Sequence, residues 1–159
     1  MVSISKQTYI SNIWKNFYDI LSNSSTGVTT VTLADESTQT VQIYTSSFPD
    51  KESNQRSSYP ILVIETPIIS EDDFTLTKSN VEGTINVEIY TTKSESAELF
   101  LDAIRNKIET NKDDLATLGL KPLRVDSTDN DFIMRGEIKV HIKSITFKFN
   151  YRYTKTRAW

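Results

Sequence analysis

Between residues 5 and 22 the large apolar side chains fall at helical spacing, with Ile10, Ile13, Trp14, Phe17, Ile20 and Leu21 on one stripe. The pattern predicts an amphipathic helix, capped by Ser3 or Ser5 and ended by Asn23-Ser24-Ser25-Thr26-Gly27. Val28, Val31 and Leu33 then mark a short strand. Val41 and Ile43 mark a second, with Gln42 and Tyr44 on its opposite face, and Asp35 to Thr38 between them reads as a hairpin turn. Residues 46 to 58 carry no periodicity and form a polar loop, long enough to suggest a functional role. Tyr59-Pro60 opens Ile61-Leu62-Val63-Ile64, whose four consecutive apolar residues suggest a central strand buried on both faces.

Residues 67 to 80 read as a second irregular stretch, with Glu71-Asp72-Asp73 as a solvated acidic loop. The clearest strand follows: Ile85, Val87 and Ile89 alternate with Thr84, Asn86 and Glu88. A second helix is expected from Ser94, capped by Ser94 or Ser96, with Ala97, Phe100, Leu101, Ile104 and Ile108 as its stripe. It extends as a short turn through Leu115 and Leu118 to a stop at Gly119. Leu123 and Val125 give a fifth strand, Ser127 to Asp131 a turn, and Phe132 to Tyr153 a long last strand. In that last strand Val140 and Ile142 differ in parity from Ile145, Phe147, Phe149, Tyr151 and Tyr153. A β-bulge or bend is therefore expected near Lys143-Ser144.

The expected order is α-β-β-β-β-α-β-β: a single α+β domain over residues 1–159, its mainly antiparallel sheet flanked by two amphipathic helices. A chain of 159 residues suits one core, and no internal repeat or linker divides it.

Composition narrows the chemistry. Cysteine is absent, which removes disulfides, thiolate metal sites and a cysteine nucleophile. The net charge of −3 does not favour nucleic acid. No apolar run approaches the roughly 18 residues of a membrane helix, and residues 1 to 6 lack the pattern of a signal peptide, so the chain is expected in the cytoplasm where it is made. The one histidine, His141, sits between Lys139 and Lys143 on a strand's polar face, with no nucleophile or carboxylate signalled beside it. Glu71-Asp72-Asp73 lacks the alternate ligands and glycine of a calcium loop, and Asp129-Asn130-Asp131 reads as turn formers. No phosphate loop, nucleophile elbow or dinucleotide fingerprint occurs. No cofactor, metal or catalytic residue is expected, and the residues read as an assembly module, not an enzyme. Phe147, Phe149, Tyr151 and Tyr153 alternate with Lys148 and Arg152. That strand offers the alternative of a nucleic-acid-binding module, but alternation puts cations and aromatics on opposite faces. Contact surfaces are expected instead in the two polar stretches and the tail: Phe48, Arg56, Asp72, Asp73, Phe74, Arg157 and Trp159.

Element order and a few apolar patterns carry a resemblance over most of the chain. The first helix ends Trp14-x-x-Phe17-x-x-Ile20-Leu21. A hairpin, a polar loop and the Tyr59-Pro60-Ile61-Leu62-Val63-Ile64 strand follow. Then come Ile85-x-Val87-x-Ile89-Tyr90, an amphipathic helix and a long strand pair. The chain thereby resembles the tail terminator and tail-completion proteins of long-tailed bacteriophages, such as that of phage lambda. The resemblance implies a virion protein of the tail or neck, assembled in the host cytoplasm. It would form a six-membered ring on the tail tube, stop tube growth and offer a surface to the head-completion connector, with DNA passing through the lumen without specific binding. Another neck or head-closure protein is the nearest alternative. No catalytic residue carries over.

Overall fold

The computed structural model describes residues 2–4, 8–23, 27–46, 59–73 and 78–154. Its elements are α1 (Tyr9–Ser22), β1 (Thr30–Thr32), β2 (Thr38–Thr40), β3 (Gln42–Ser46), β4 (Ile61–Glu65), β5 (Ile68–Asp73), β6 (Lys78–Thr91), α2 (Ser94–Thr110), α3 (Lys112–Thr117), β7 (Leu120–Arg135) and β8 (Ile138–Thr154). The α+β class holds. Six strands form one sheet in the order β3-β4-β6-β8-β7, with β5 also on β6. β1 and β2 form a separate antiparallel pair. Every pairing in the large sheet is antiparallel except β3 with β4.

The core lies between one face of this sheet and the helices. Ile13, Phe17, Ile20 and Leu21 of α1 and Ala97, Phe100, Ile104 and Ile108 of α2 meet Val81, Ile85, Val87, Ile89, Ile145, Phe147 and Phe149. Helical spacing makes one stripe of each helix apolar, and period-two alternation makes one face of β6 and β8 apolar; burying these surfaces together is the dominant favourable contribution. Both amphipathic helices flank the sheet on this one face.

Several expectations need correction. Helix α1 begins at Tyr9, not near residue 5, and Ser3 is not helical. Ile10 stands outside the stripe, exposed. The segment before α1 is held by Asn16, whose buried amide accepts from Val2 N at 2.7 Å and donates to Val2 O at 3.0 Å. Ser94 is already helical, with Lys93 at the cap position, and Ser96 donates its hydroxyl to Gln39, tying β2 to α2. The expected second strand is split: β2 belongs to the small sheet and β3 to the large one, with buried Val41 between them.

The irregular stretch expected over 67 to 80 contains β5 and the start of β6. Ile64 pairs with Val87 and Ile68 with Thr84, so Glu65, Thr66 and Pro67 stand against only Ile85 and Asn86. The extra residue reverses parity. Leu62 and Ile64 face the core in β4, whereas Ile69 and Glu71 share the core-facing parity in β5.

The expected turn at Ser127 to Asp131 is strand, because β7 runs unturned to Arg135 along β8. The chain reverses at Gly136-Glu137, where Gly136 has φ 64°, the first-position glycine of a two-residue hairpin. No bulge occurs near Lys143-Ser144: β6 and β8 keep one register from Lys78↔Thr154 to Thr91↔His141. The irregularities lie in β7 instead, between Leu120 and Leu123 and between Val125 and Ser127. Gly119, with φ 106°, closes α3 as expected.

Candidate interaction surface

Among the described residues no helix covers the other face of the sheet. Register places Asn80, Glu82, Thr84, Asn86, Glu88 and Tyr90 of β6 beside Ile142, Ser144, Thr146, Lys148, Asn150 and Arg152 of β8, all half-buried or exposed. A polar network runs across its middle. Thr146 donates to Asn86 Oδ1 (3.0 Å), Asn86 donates to Glu88 Oε1 (3.0 Å), and the Tyr90 hydroxyl donates to Glu88 Oε2. Partial burial, then the bond to Glu88, push the Tyr90 phenol well above its ordinary range. Glu65 joins from β4. Burial first, then a hydrogen bond shared with Glu88 and the repulsion between the two carboxylates, hold its carboxyl above the usual glutamate value.

Beside this network, Glu88, Tyr90, Asp129, Asn130, Asp131, Ile142 and Ser144 line a hollow of about 300 Å³. Its lining combines three carboxylates with the Tyr90 ring and Ile142. The hollow forms because β7 continues past the turn that its composition suggests, carrying Asp129 opposite Ser144 and Asp131 opposite Ile142.

Residues 128 to 142 form a hairpin arm. On its helix-side face Phe132 pairs with His141 and Met134 with Lys139. Phe132 is 54% and Met134 57% exposed, and Lys139 Nζ stands 4.3 Å from the centre of the Phe132 ring. Lys143, on the same face, is paired with Glu98 at the start of α2. The arm thus carries Phe132, Met134, Lys139 and His141 on one side, and Asp129 and Asp131 with Ile133, Arg135, Val140 and Ile142 on the other.

A second cluster joins α1 to β5. Glu71 accepts from Tyr9 Oη (3.0 Å), Ser79 Oγ (3.1 Å) and the Tyr153 hydroxyl. Tyr9 stacks on Tyr153 with ring centroids 6.3 Å apart, and Tyr151 donates to Ile4 O. Desolvation, followed by the bond to Glu71, raises the Tyr9 phenol. These bonds tie a helix to an edge strand and leave Glu71 with a structural task.

Of the seven residues singled out from sequence, Phe48, Arg56, Phe74, Arg157 and Trp159 lie outside the described residues. Asp72 is exposed on β5, opposite Asn80, and Asp73 ends that strand, opposite Ser79. They are edge-strand residues, not loop residues. Sequence reasoning missed Glu88, Tyr90, Asp129, Asp131, Phe132 and Met134. The available signal was Phe132-Ile133-Met134 followed directly by Arg135-Gly136-Glu137, an apolar run against a hairpin glycine. His141 is half-buried in the strand between Phe132 and Thr91, and Phe147 and Phe149 are buried under the helices, so these two rings offer no stacking face. Among the described residues no cluster of three or more His, Asp or Glu is placed to hold a metal ion, and no helix is long and apolar enough to cross a membrane.

No protein-family model matches the chain, and no curated protein matches it.

Proposed function

We propose that this chain is a structural assembly protein of a tailed-phage virion. It forms a ring, six copies around, that caps the tail tube, stops its growth and presents a surface to the head-completion connector. The observation that carries this reading is the one-sided sheet. Helices cover one face; on the other, Ile61, Val63 and Val140 are buried, while the polar strip of β6 and β8 and an arm with two exposed large apolar residues keep solvent-facing surface. Exposed apolar groups of that size, rimmed by charge, are the raw material of protein contacts. A ring needs two different patches that fit each other, and this molecule has chemically distinct surfaces on opposite sides of one element. The resemblance in element order to phage tail terminators supplies the rest: tube protein below, connector above, location in the tail or neck.

The test is removal. Tube subunits add through one repeated contact that has no intrinsic end. A phage lacking this chain should make abnormally long tails unjoined to filled heads, visible in micrographs of lysates. Tails of normal length, joined to heads, would overturn the terminator role.

A further inference from the structure

We infer that copies of this chain join arm to arm. The Phe132–Met134–Lys139 face of one hairpin seats in the acidic hollow of the next copy, against Glu88, Asp129 and Asp131. The contact rests on the ring reading and specifies the surface that makes the ring.

Four observations carry it. First, register sorts the arm's exposed anchors to one face and its two aspartates to the other, where Arg135, Ile138 and buried Val140 also lie. Phe132, Met134, Lys139 and His141 share one side, and Asp129, Asp131, Ile133 and Ile142 share the other. Second, the apolar pair is uncovered within the protomer, more than half exposed at both residues. Third, the hollow on the opposite side has room for a large side chain, about 300 Å³, and offers Tyr90 and Ile142 to an apolar group and three carboxylates to a cation. Fourth, Lys139 already lies over the Phe132 ring, so ring and ammonium are presented as one unit. Arg135, near Tyr90, is a cation on the acidic side, outnumbered there by Glu65, Glu88, Asp129 and Asp131.

Charge complementarity selects a second copy as the occupant, because the basic-apolar face and the acidic hollow belong to the same chain. The contact joins unlike patches, so each added copy leaves one of each kind free. Such a contact propagates until rotation closes it. Two stacked sheet faces lie about 10 Å apart, close enough for the Phe132 side chain to enter the hollow.

The experiment uses the full chain and two double variants, F132S/M134S and D129K/D131K, with circular dichroism as the check on folding. Native mass spectrometry and sedimentation velocity read assembly across a concentration series. The wild type should form closed rings. Each variant alone should need on the order of tenfold more protein, or fail to assemble, since each loses central anchors of the contact. An equal mixture of the two should give dimers and stop, because one intact face meets one intact hollow and the remaining patches are spoiled. Rings from either variant at wild-type concentration would overturn the arm contact and leave the ring reading standing. A wild type that stays monomeric even when mixed with tail tubes would overturn both. Binding of a single-stranded oligonucleotide that F132S/M134S abolishes, with assembly unchanged, would show the face to be a nucleic-acid surface and overturn the proposal.

Discussion

Gly83 and Phe149 face each other across β6 and β8, and a β-carbon on Gly83 would stand 2.7 Å from Phe149 Cζ and 2.8 Å from Ile68 O. The missing side chain is what lets the ring lie flat against the sheet while β5 approaches from the other side. Gly83→Ala should destabilise the protein by about 1–3 kcal/mol, the usual cost of overpacking a dense core. Shrinking the ring with Phe149→Leu should recover part of that loss in the double variant, but not all, because the Ile68 carbonyl stays in the way. Urea melts of the four proteins check this. Strictly additive losses would show that ring and glycine do not compete for the same space.

The Glu71 carboxylate, with its three hydroxyl donors, replaces the apolar contact that β5 lacks at its core-facing position. Glu71→Ala should cost about 1–2 kcal/mol, at the low end for charged hydrogen bonds because the residue is exposed. Tyr9→Phe should lose much less once Glu71 is gone, a coupling of about 0.5–1 kcal/mol. Thermal melts of the double-mutant cycle read the coupling. A value near zero would mean that α1 docks on the edge of the sheet without this bond.

Glu65 gives the stability a pH dependence of unusual sign. Its folded pKa lies above the ordinary glutamate value, through burial and then through its hydrogen bond with Glu88 and the repulsion from that neighbour. Between those two values the folded chain binds more protons than the unfolded chain, so stability falls as pH rises, and above the window the penalty is constant. Asp35 works the other way. Its bonds from Ser37 lower its pKa, so its contribution is lost as pH falls through that depressed value. Glu65→Gln should therefore melt at a higher temperature than the wild type at neutral pH, with the difference vanishing toward acid. Parallel curves across the whole range would remove Glu65 from the account.

Where the sequence was readable and where it was not follows from which neighbours set each residue's fate. The second half of β6, from Thr84, and α2 were legible because each has one dry face and one wet face there. β4 was legible because its apolar run is flanked by β3 and β6 and is buried on both sides. β5 was not: Ser70-Glu71-Asp72-Asp73 has the composition of a loop, and its strand form depends on β6 and on phenols from α1 and β8. Ser127 to Asp131 was misread for the same reason, since a ladder to β8 overrides the local turn preference. The parity change in β8 was seen correctly but explained wrongly. No bulge absorbs it, because the dry face itself changes. Ile145 and Phe147 lie under the helices, whereas Val140 and Ile142 lie on the opposite face, beside Ile133 and Tyr90, where Val140 is fully buried. The surface that matters for assembly was invisible because it depends on where that hairpin turns.

Amide hydrogen exchange should follow the same architecture. β6 lies between β4 and β5 on one side and β8 on the other, and its core-facing residues Val81 to Ile89 are buried. Opening their hydrogen bonds requires the helices to lift, so these amides and those of Ile145 to Phe149 should exchange slowest, by global unfolding. β1 and β2 share only the pairs Thr30↔Thr40, Val31↔Gln39 and Thr32↔Thr38, and most of their residues are exposed. A two-stranded ribbon that short is marginal alone, so these amides should exchange among the fastest of the paired ones. The arm falls between. Its ladder is regular from Ser127 to Arg135, but its residues are largely exposed and no helix spans it. In the monomer the arm amides should exchange by local opening, far faster than β6. In the assembled ring the same amides should slow markedly while β1 and β2 stay unchanged, because only the arm gains a cover. Equal protection of residues 128 to 138 in monomer and ring would mean that assembly uses some other surface. Protection in the monomer as high as in β6 would mean that the arm is part of the core unit and not a free contact element.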